Sequence, residues 1–364
     1  MRPDDLAHIL ALVLTPVLTA PIAAPSIPSW GDALACRPET VAPAIAWIRP
    51  SDSENLARLD SWCVAVGTPS LHAPSGANVP VSGDSLAVVV WNTNVDAADV
   101  RRFLRDLRAG DLHGGGPVEH FVLLLQEVHR GGSAVPAILS ADARSADRIG
   151  GRGEAGERLD IVDLAREEGL HLFYVPSMRN GTPDDGGAPE DRGNAVLATL
   201  PLVDLTAIEL PVERQRRVAV SATVEVTSAD GVSHGIRFVS AHLENRAPWT
   251  RAHRTFGAAQ TNQARALVAS LERLSHVPAT VVGGDFNTWL RGGESGSLEA
   301  LRIRYPSAVH PEGATRDLPL FLPGLRLDHL FLRVPRGWEG RYEVIADSYG
   351  SDHLPLLGWI RMSP

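Results

Sequence analysis

Apolar runs along this chain repeatedly stop at a hydrogen-bonding or ionisable residue: Asn92, Gln126-Glu127, His242 with Asn245, Asp285 with Asn287, Asp328, and Asp352-His353. This set of side chains suits hydrolysis of a phosphate ester. Carboxylates such as Glu127 can hold Mg²⁺, which prefers oxygen ligands. The cation can offset charge on a phosphoryl or leaving oxygen. Asn and His can donate hydrogen bonds to non-bridging oxygens, and an Asp–His pair can fix an imidazole in one tautomer. Gly-x-Ser-x-Gly is absent and neither cysteine has a plausible catalytic partner. Attack by water is therefore favoured over a covalent protein nucleophile.

The densest stretch is Val281-Val-Gly-Gly-Asp-Phe-Asn-Thr-Trp289. If the strand direction persists, Asp285 and Asn287 share a face, and the two glycines permit close approach of a ligand. Taken singly, each polar residue also has a plain structural use. Asn92 reads as a turn residue, Glu127 as a solvated strand end, His242 as structural, and Asp328 as a partner for Arg326. Their repetition at matching strand ends favours a site, because functional loops sit on rigid scaffolds.

The elements that must position these residues follow from periodicity. Short apolar, β-branched runs predict strands over 86–91, 121–125, 171–175, 195–198, 202–210, 218–226, 236–241, 279–282, 327–332, 343–346 and 353–360. Helical spacing predicts helices over 97–108, 159–168 and 255–274, and a short one over 51–63 capped by Ser51 or Ser53. Residues 69–84 read as a linker, 131–158 as a surface excursion and 177–191 as a polar loop that cannot build a core. Strands outnumber helices and several are closely joined, which suggests an α+β sandwich of two packed sheets with helices outside.

The chain has 364 residues, 44% of them hydrophobic, with a formal net charge of -9. That charge is evidence against a general polyanion binder, which leans on clustered cations. It leaves room for a locally basic cleft. Residues 9–24 are almost wholly apolar but broken by Pro16 and Pro21, too short for a good membrane span. They read as a secretory signal, so residues 1–30 are expected to be a signal or apolar segment and the protein to be exported, periplasmic or extracellular. Residues 31–85 then form an extension and 86–364 the catalytic domain. Cys36 and Cys63 fit one disulfide in an exported chain; two buried thiols or a lipid-modified Cys36 are the alternatives.

Trp91-Asn92, Gln126-Glu127, Arg192-Gly193-Asn194, Ser240-Ala241-His242, Gly284-Asp285-Phe286-Asn287, Leu327-Asp328-His329 and Ser351-Asp352-His353 occur in one order along the sequence. The chain so resembles the endonuclease/exonuclease/phosphatase superfamily, the DNase I-like fold, over about residues 86–362. The resemblance implies a four-layer α/β/β/α sandwich with two mostly antiparallel sheets and a divalent-metal phosphoesterase using Mg²⁺ or Mn²⁺. It implies that Glu127 is the principal metal ligand with Asn92 beside it, and that Asp352 lies near the metal or its waters. Asp285 would orient or deprotonate the attacking water and Asn287 would hold the scissile phosphate. His353 would contact that phosphate or act as general acid or base, oriented by Asp328, and His242 resembles the histidine of the DNase and sphingomyelinase branches.

Asn245, Asn194, Arg192 and Arg217, with Arg216, are candidates for substrate phosphate; exposed strand-end arginines are the alternative. The leading expectation is an exported phosphodiesterase acting as a monomer without an obligate protein partner. Its substrate would be a nucleic acid, a phospholipid head group or a small phosphodiester. A DNase-like endonuclease would need a basic rim around the site. A noncatalytic binding module would fit loss of Asp285, Asp328 or His353, and all three are present.

Overall fold

Val88 and Val90 pack in the core between two sheets, while Ala87, Val89 and Trp91 pack on the opposite face beneath helices. This period-two division of an almost unbroken apolar strand is what a strand buried on both faces requires. The computed structural model describes residues 45–75, 85–95, 97–112, 116–137, 160–181, 188–228, 231–245, 257–288, 291–306, 308–309, 313–316 and 324–362. The expected signal over 9–24, Cys36 and most of the excursion over 131–158 lie outside these residues. Among them, no helix is long and apolar enough to cross a membrane.

One sheet has six strands: β1 (Ala46–Ile48), β7 (Val203–Glu209), β8 (Val218–Thr227), β9 (Ser233–His242), β10 (Ala279–Asp285) and β12 (Asp328–Arg333), in that spatial order. The other has eight. They are β11 (Ala308–Val309), β13 (Glu339–Val344), β14 (Leu356–Arg361), β3 (Ser85–Asn92), β4 (Phe121–Gly131), β6 (Glu190–Ala198), β5 (His171–Asn180) and β2 (Ser70–His72). Most pairings are antiparallel; β3–β4 and β9–β10 are among the parallel ones. Helices α2 (Val100–Ala109) and α3 (Ile161–Glu167) share a cluster with the eight-stranded sheet. Helices α4 (Ala258–Leu271) and α5 (Arg291–Arg304) share one with the six-stranded sheet. The four-layer sandwich is therefore present.

The segment before β3 is woven into both sheets. β1 adds to one edge and β2 to another, so the linker expected over 69–84 contains a strand. Helix α1 (Ser53–Cys63) is capped by Asp52, whose side chain accepts from Asn55 N, and neither serine caps it. Cys63 is buried at its end and carries no free thiol. Arg58 and Asn55 tie α1 to the backbone of Val212 and Glu213.

The polar loop expected over 177–191 is a second correction. Its ends extend β5 and β6 as a long hairpin, because their polar side chains are buried in pairs. Asn180 donates to Glu190 at 2.8 Å, and Asp191 accepts from Arg130 and from Tyr174 at 2.7 Å. Asp191 also accepts from Gly67 N at 2.9 Å, which fixes the segment leading to β2. Helix α5 had no clear sequence signal; its Gly-rich start hides the apolar face formed by Leu298 and Leu301.

Candidate active site

The inter-sheet face of each central strand is apolar along most of its length and turns polar toward one end of the sandwich. Val88 and Val90 lead to Asn92, Val122 and Leu124 to Gln126, Ile236 and Phe238 to Ser240 and His242, and Val281 to Asp285. Pairing then sets Asp285 between His242 on β9 and Asp328 on β12 in register. Asn92 pairs with Gln126 across β3 and β4. The site is thus the polar end of the inter-sheet core.

Gly283 and Gly284 serve this closeness, and their neighbours are protein rather than ligand. A Cβ on Gly283 would lie 2.4 Å from Val90 on the facing sheet, and one on Gly284 would lie 1.7 Å from the Ala241 carbonyl oxygen. Gly284→Ala is expected to destabilise the fold by roughly 3 kcal/mol or more, read by urea unfolding. A loss under about 1 kcal/mol would show that β9 and β10 can separate cheaply.

Asp285 is the hub. Its Oδ2 accepts from Asn92 Nδ2 at 3.0 Å and lies 3.5 Å from His242 Nε2 and 3.8 Å from His353 Nε2. Its Oδ1 accepts from Asn287 N at 2.9 Å. Asn287 takes a left-handed φ of 50° and donates Nδ2 to the Leu243 carbonyl at 3.0 Å. Asp328 Oδ2 lies 2.7 Å from His353 Nδ1, so Asp328 partners the histidine, while Arg326 turns to Tyr342. Thr315 Oγ1 accepts from the Asp328 amide at 3.0 Å. Ser351 Oγ accepts from the His353 amide and donates to the Asn92 carbonyl at 2.7 Å.

Glu127 owes its position to a β-bulge. The register of β4 against β6 shifts between Leu125 and Val128, and Glu127 has φ 53°. The bulge re-aims its carboxylate, which lies 3.8 Å from His242 Nδ1 and has no arginine partner among the described residues. Gln126 stays beneath as a brace, donating to Ser240 Oγ at 3.0 Å.

Electrostatics separates the titrating groups. Burial pushes Asp285 up to about 7, with His353 opposing and Asp328 adding to the shift. Burial acts to lower His353, but the hydrogen-bonded Asp328 carboxylate outweighs it and raises the imidazole to about 9. His242 is held well below the ordinary imidazole value by burial, then by Arg217, His353 and Arg192. Near neutrality the site therefore holds a cationic His353, a neutral His242 and an Asp285 close to its midpoint.

Other sequence candidates lie further out. Asp352 is part-exposed, with Oδ2 2.5 Å from Arg316 Nη2 and Oδ1 3.9 Å from His353 Nε2. Arg216 is fully buried against Glu209 and donates to the Pro176 carbonyl, which makes it a brace rather than a phosphate contact. Arg192, Asn194 and Arg217 are buried and line a cleft beside His242. Asn245 N donates to Glu244 Oε1 at 3.0 Å. Glu244, missed in the sequence, is fully buried and also accepts from the amides of Arg214 and Gln215.

Asp285, Asp328 and His353 offer ligand atoms within 4.8 Å of one another. Asp328 and His353 already engage each other, however. The Glu127 carboxylate, 3.8 Å from His242 Nδ1, is a further oxygen donor at the edge of this group. Oxygen donors of this kind fit Mg²⁺ or Mn²⁺.

A family model described as "Endonuclease/Exonuclease/phosphatase family" matches residues 89–353. No curated protein matches the chain in sequence. An endonuclease/exonuclease/phosphatase structure from Beutenbergia cavernae is similar at 20% identity and TM-score 0.51, covering 77% of this chain and 72% of that one. One from Bacteroides vulgatus has 14% identity and TM-score 0.48, covering 77% and 100%. Sphingomyelinase C from Streptomyces griseocarneus has 16% identity and TM-score 0.41, covering 76% and 99%. The matched span holds every strand-end residue from Asn92 to His353, and the Beutenbergia likeness shows the same fold. This chain belongs to the endonuclease/exonuclease/phosphatase family.

Proposed function

We propose that the protein is a divalent-metal-dependent phosphoesterase that hydrolyses a phosphodiester by direct attack of water. The observation that carries this reading is the Asp285 carboxylate, ringed by Asn92, His242 and His353 and pushed up to about 7. A carboxylate at that value is a competent base at neutral pH. Asp285 would orient the water and take its proton. His353, kept cationic by Asp328, would donate a hydrogen bond from Nε2 to a phosphoryl oxygen. Asn287 would hold the same phosphate.

Glu127 and Asn92 would hold Mg²⁺ or Mn²⁺. When bound, the cation offsets negative charge on phosphoryl oxygens. The purified protein is expected to hydrolyse bis-p-nitrophenyl phosphate with Mg²⁺ or Mn²⁺ and to lose at least about a hundredfold in rate with EDTA. Full activity in EDTA, or none with any divalent cation, would overturn this reading. Export and a Cys36–Cys63 disulfide belong to the same proposal; a mobility shift under nonreducing electrophoresis tests the disulfide.

A further inference from the structure

A small open cleft lies beside His242, lined by Ser177, Arg192, Asn194 and Arg217. It shares only Glu127 and His242 with the reaction centre; Asp285, Asn287, Asp328 and His353 do not line it. A group seated there would flank the scissile phosphate rather than be it. We propose that this cleft binds a second phosphate of the substrate, so that the preferred substrate is a phosphodiester carrying a separate phosphomonoester. The proposal rests on the phosphoesterase reading above.

The cleft is built for a compact anion. Arg217 is 2% exposed, and its Nη2 reaches Gln215 Oε1 at 3.3 Å. Its Nε is buried without a hydrogen-bond partner among the described residues. Glu244 lies 3.7 Å from Arg217 Nη2, but three backbone amides already engage its carboxylate. Held by those amides, Glu244 fixes the place of the Arg217 guanidinium. Arg192 is steadied by the Met178 sulfur at 3.3 Å. Both guanidinium charges reach His242, whose affinity for a proton they lower.

A phosphomonoester, with about 1.5 to 2 negative charges at neutral pH, suits such a cleft better than a diester. The arginines are recessed, and the sequence contains no lysine. Tracking a polynucleotide backbone calls for an extended cationic surface, so the recessed pair fits an end group that enters the cleft.

The test compares two substrate pairs on the full chain with Mg²⁺. One pair is the p-nitrophenyl ester of thymidine 5′-phosphate with and without a 3′-phosphate. The other is glycerophosphoinositol with and without a ring phosphate. At least one pair is expected to show about a tenfold or greater kcat/KM preference for the phosphorylated member, as charge-assisted hydrogen bonds of this kind give. The pair that shows it identifies the source of the phosphate. In Arg217→Gln the preference is expected to collapse toward unity, and in Arg217→Lys to persist in part. Ser177→Asp, which adds a carboxylate to the cleft, is expected to abolish the preference if Arg217→Gln does not fold.

Hydrolysis of all four without preference overturns the second subsite and leaves the phosphoesterase standing. If none of the four is hydrolysed, bis-p-nitrophenyl phosphate alone decides the phosphoesterase reading. Calorimetric titration with inorganic phosphate in EDTA then decides the subsite by itself. Binding weakened about tenfold or more in Arg217→Gln supports it, and equal binding in both proteins overturns it.

Discussion

Asp285→Asn is expected to lower kcat/KM on bis-p-nitrophenyl phosphate by about a thousandfold, within the range that a positioned general base contributes. The substitution keeps shape and removes only the charge and the basic oxygen. Asn92 Nδ2, His242 Nε2 and His353 Nε2 all face that one oxygen, at 3.0, 3.5 and 3.8 Å. Stability should not fall with activity. Asp285 is buried, and burial already disfavours its ionised form, so an amide there relieves a desolvation cost. The unfolding midpoint is therefore expected to hold or rise while the rate collapses, the trade-off common at strained active sites. Full activity with an unchanged midpoint would remove Asp285 from the chemistry. A collapse of both would make it a structural residue.

The polar ends of the central strands were legible because alternation carries through them. A strand that buries Val88 and Val90 must present Asn92 to the same face, and the same holds for Val281 and Asp285. What alternation cannot show is a change of phase. The bulge that turns Glu127 over depends on pairing with β6, about 65 residues onward in the chain. Long-range pairing also hides buried polar residues. Arg179, Asn180 and Asp191 read as loop because their partners, among them Ala65, Glu190 and Arg130, must be placed before their burial makes sense. Asp352 stands at the edge of the site: one carboxylate oxygen faces Arg316 and the other lies 3.9 Å from His353 Nε2, an arrangement its place in the Ser351-Asp352-His353 motif does not spell out.

Asp328→Asn is expected to lower kcat/KM at pH 7 by about a hundredfold and to move the alkaline limb of the rate profile to lower pH. In the wild type that limb reports loss of the His353 proton near 9. The acid limb reports ionisation of Asp285, at about 7 or lower, because a bound cation favours the carboxylate. Removing the Asp328 charge leaves burial, which lowers His353, without its main opponent. Asp328 also helps to raise Asp285, so the acid limb loses that support too and the whole profile shifts to lower pH.

The same pair carries a stability signature that needs no substrate. His353 has a folded value above its unfolded value near 6.5, so the pair stabilises the fold fully below about 6.5 and the benefit is lost as pH rises through about 9. The contribution is on the order of 3 kcal/mol. Asp285 acts in a separate window. Its value is raised from 3.8 to about 7, so the stability gained by keeping its proton is present below 3.8 and lost by about 7. Urea unfolding in EDTA, with metal linkage excluded, is therefore expected to show wild-type stability falling between pH 7 and 9 from the His353 pair. Asp328→Asn should flatten that fall. An equal slope in both proteins would mean that Asp328 does not hold the His353 proton.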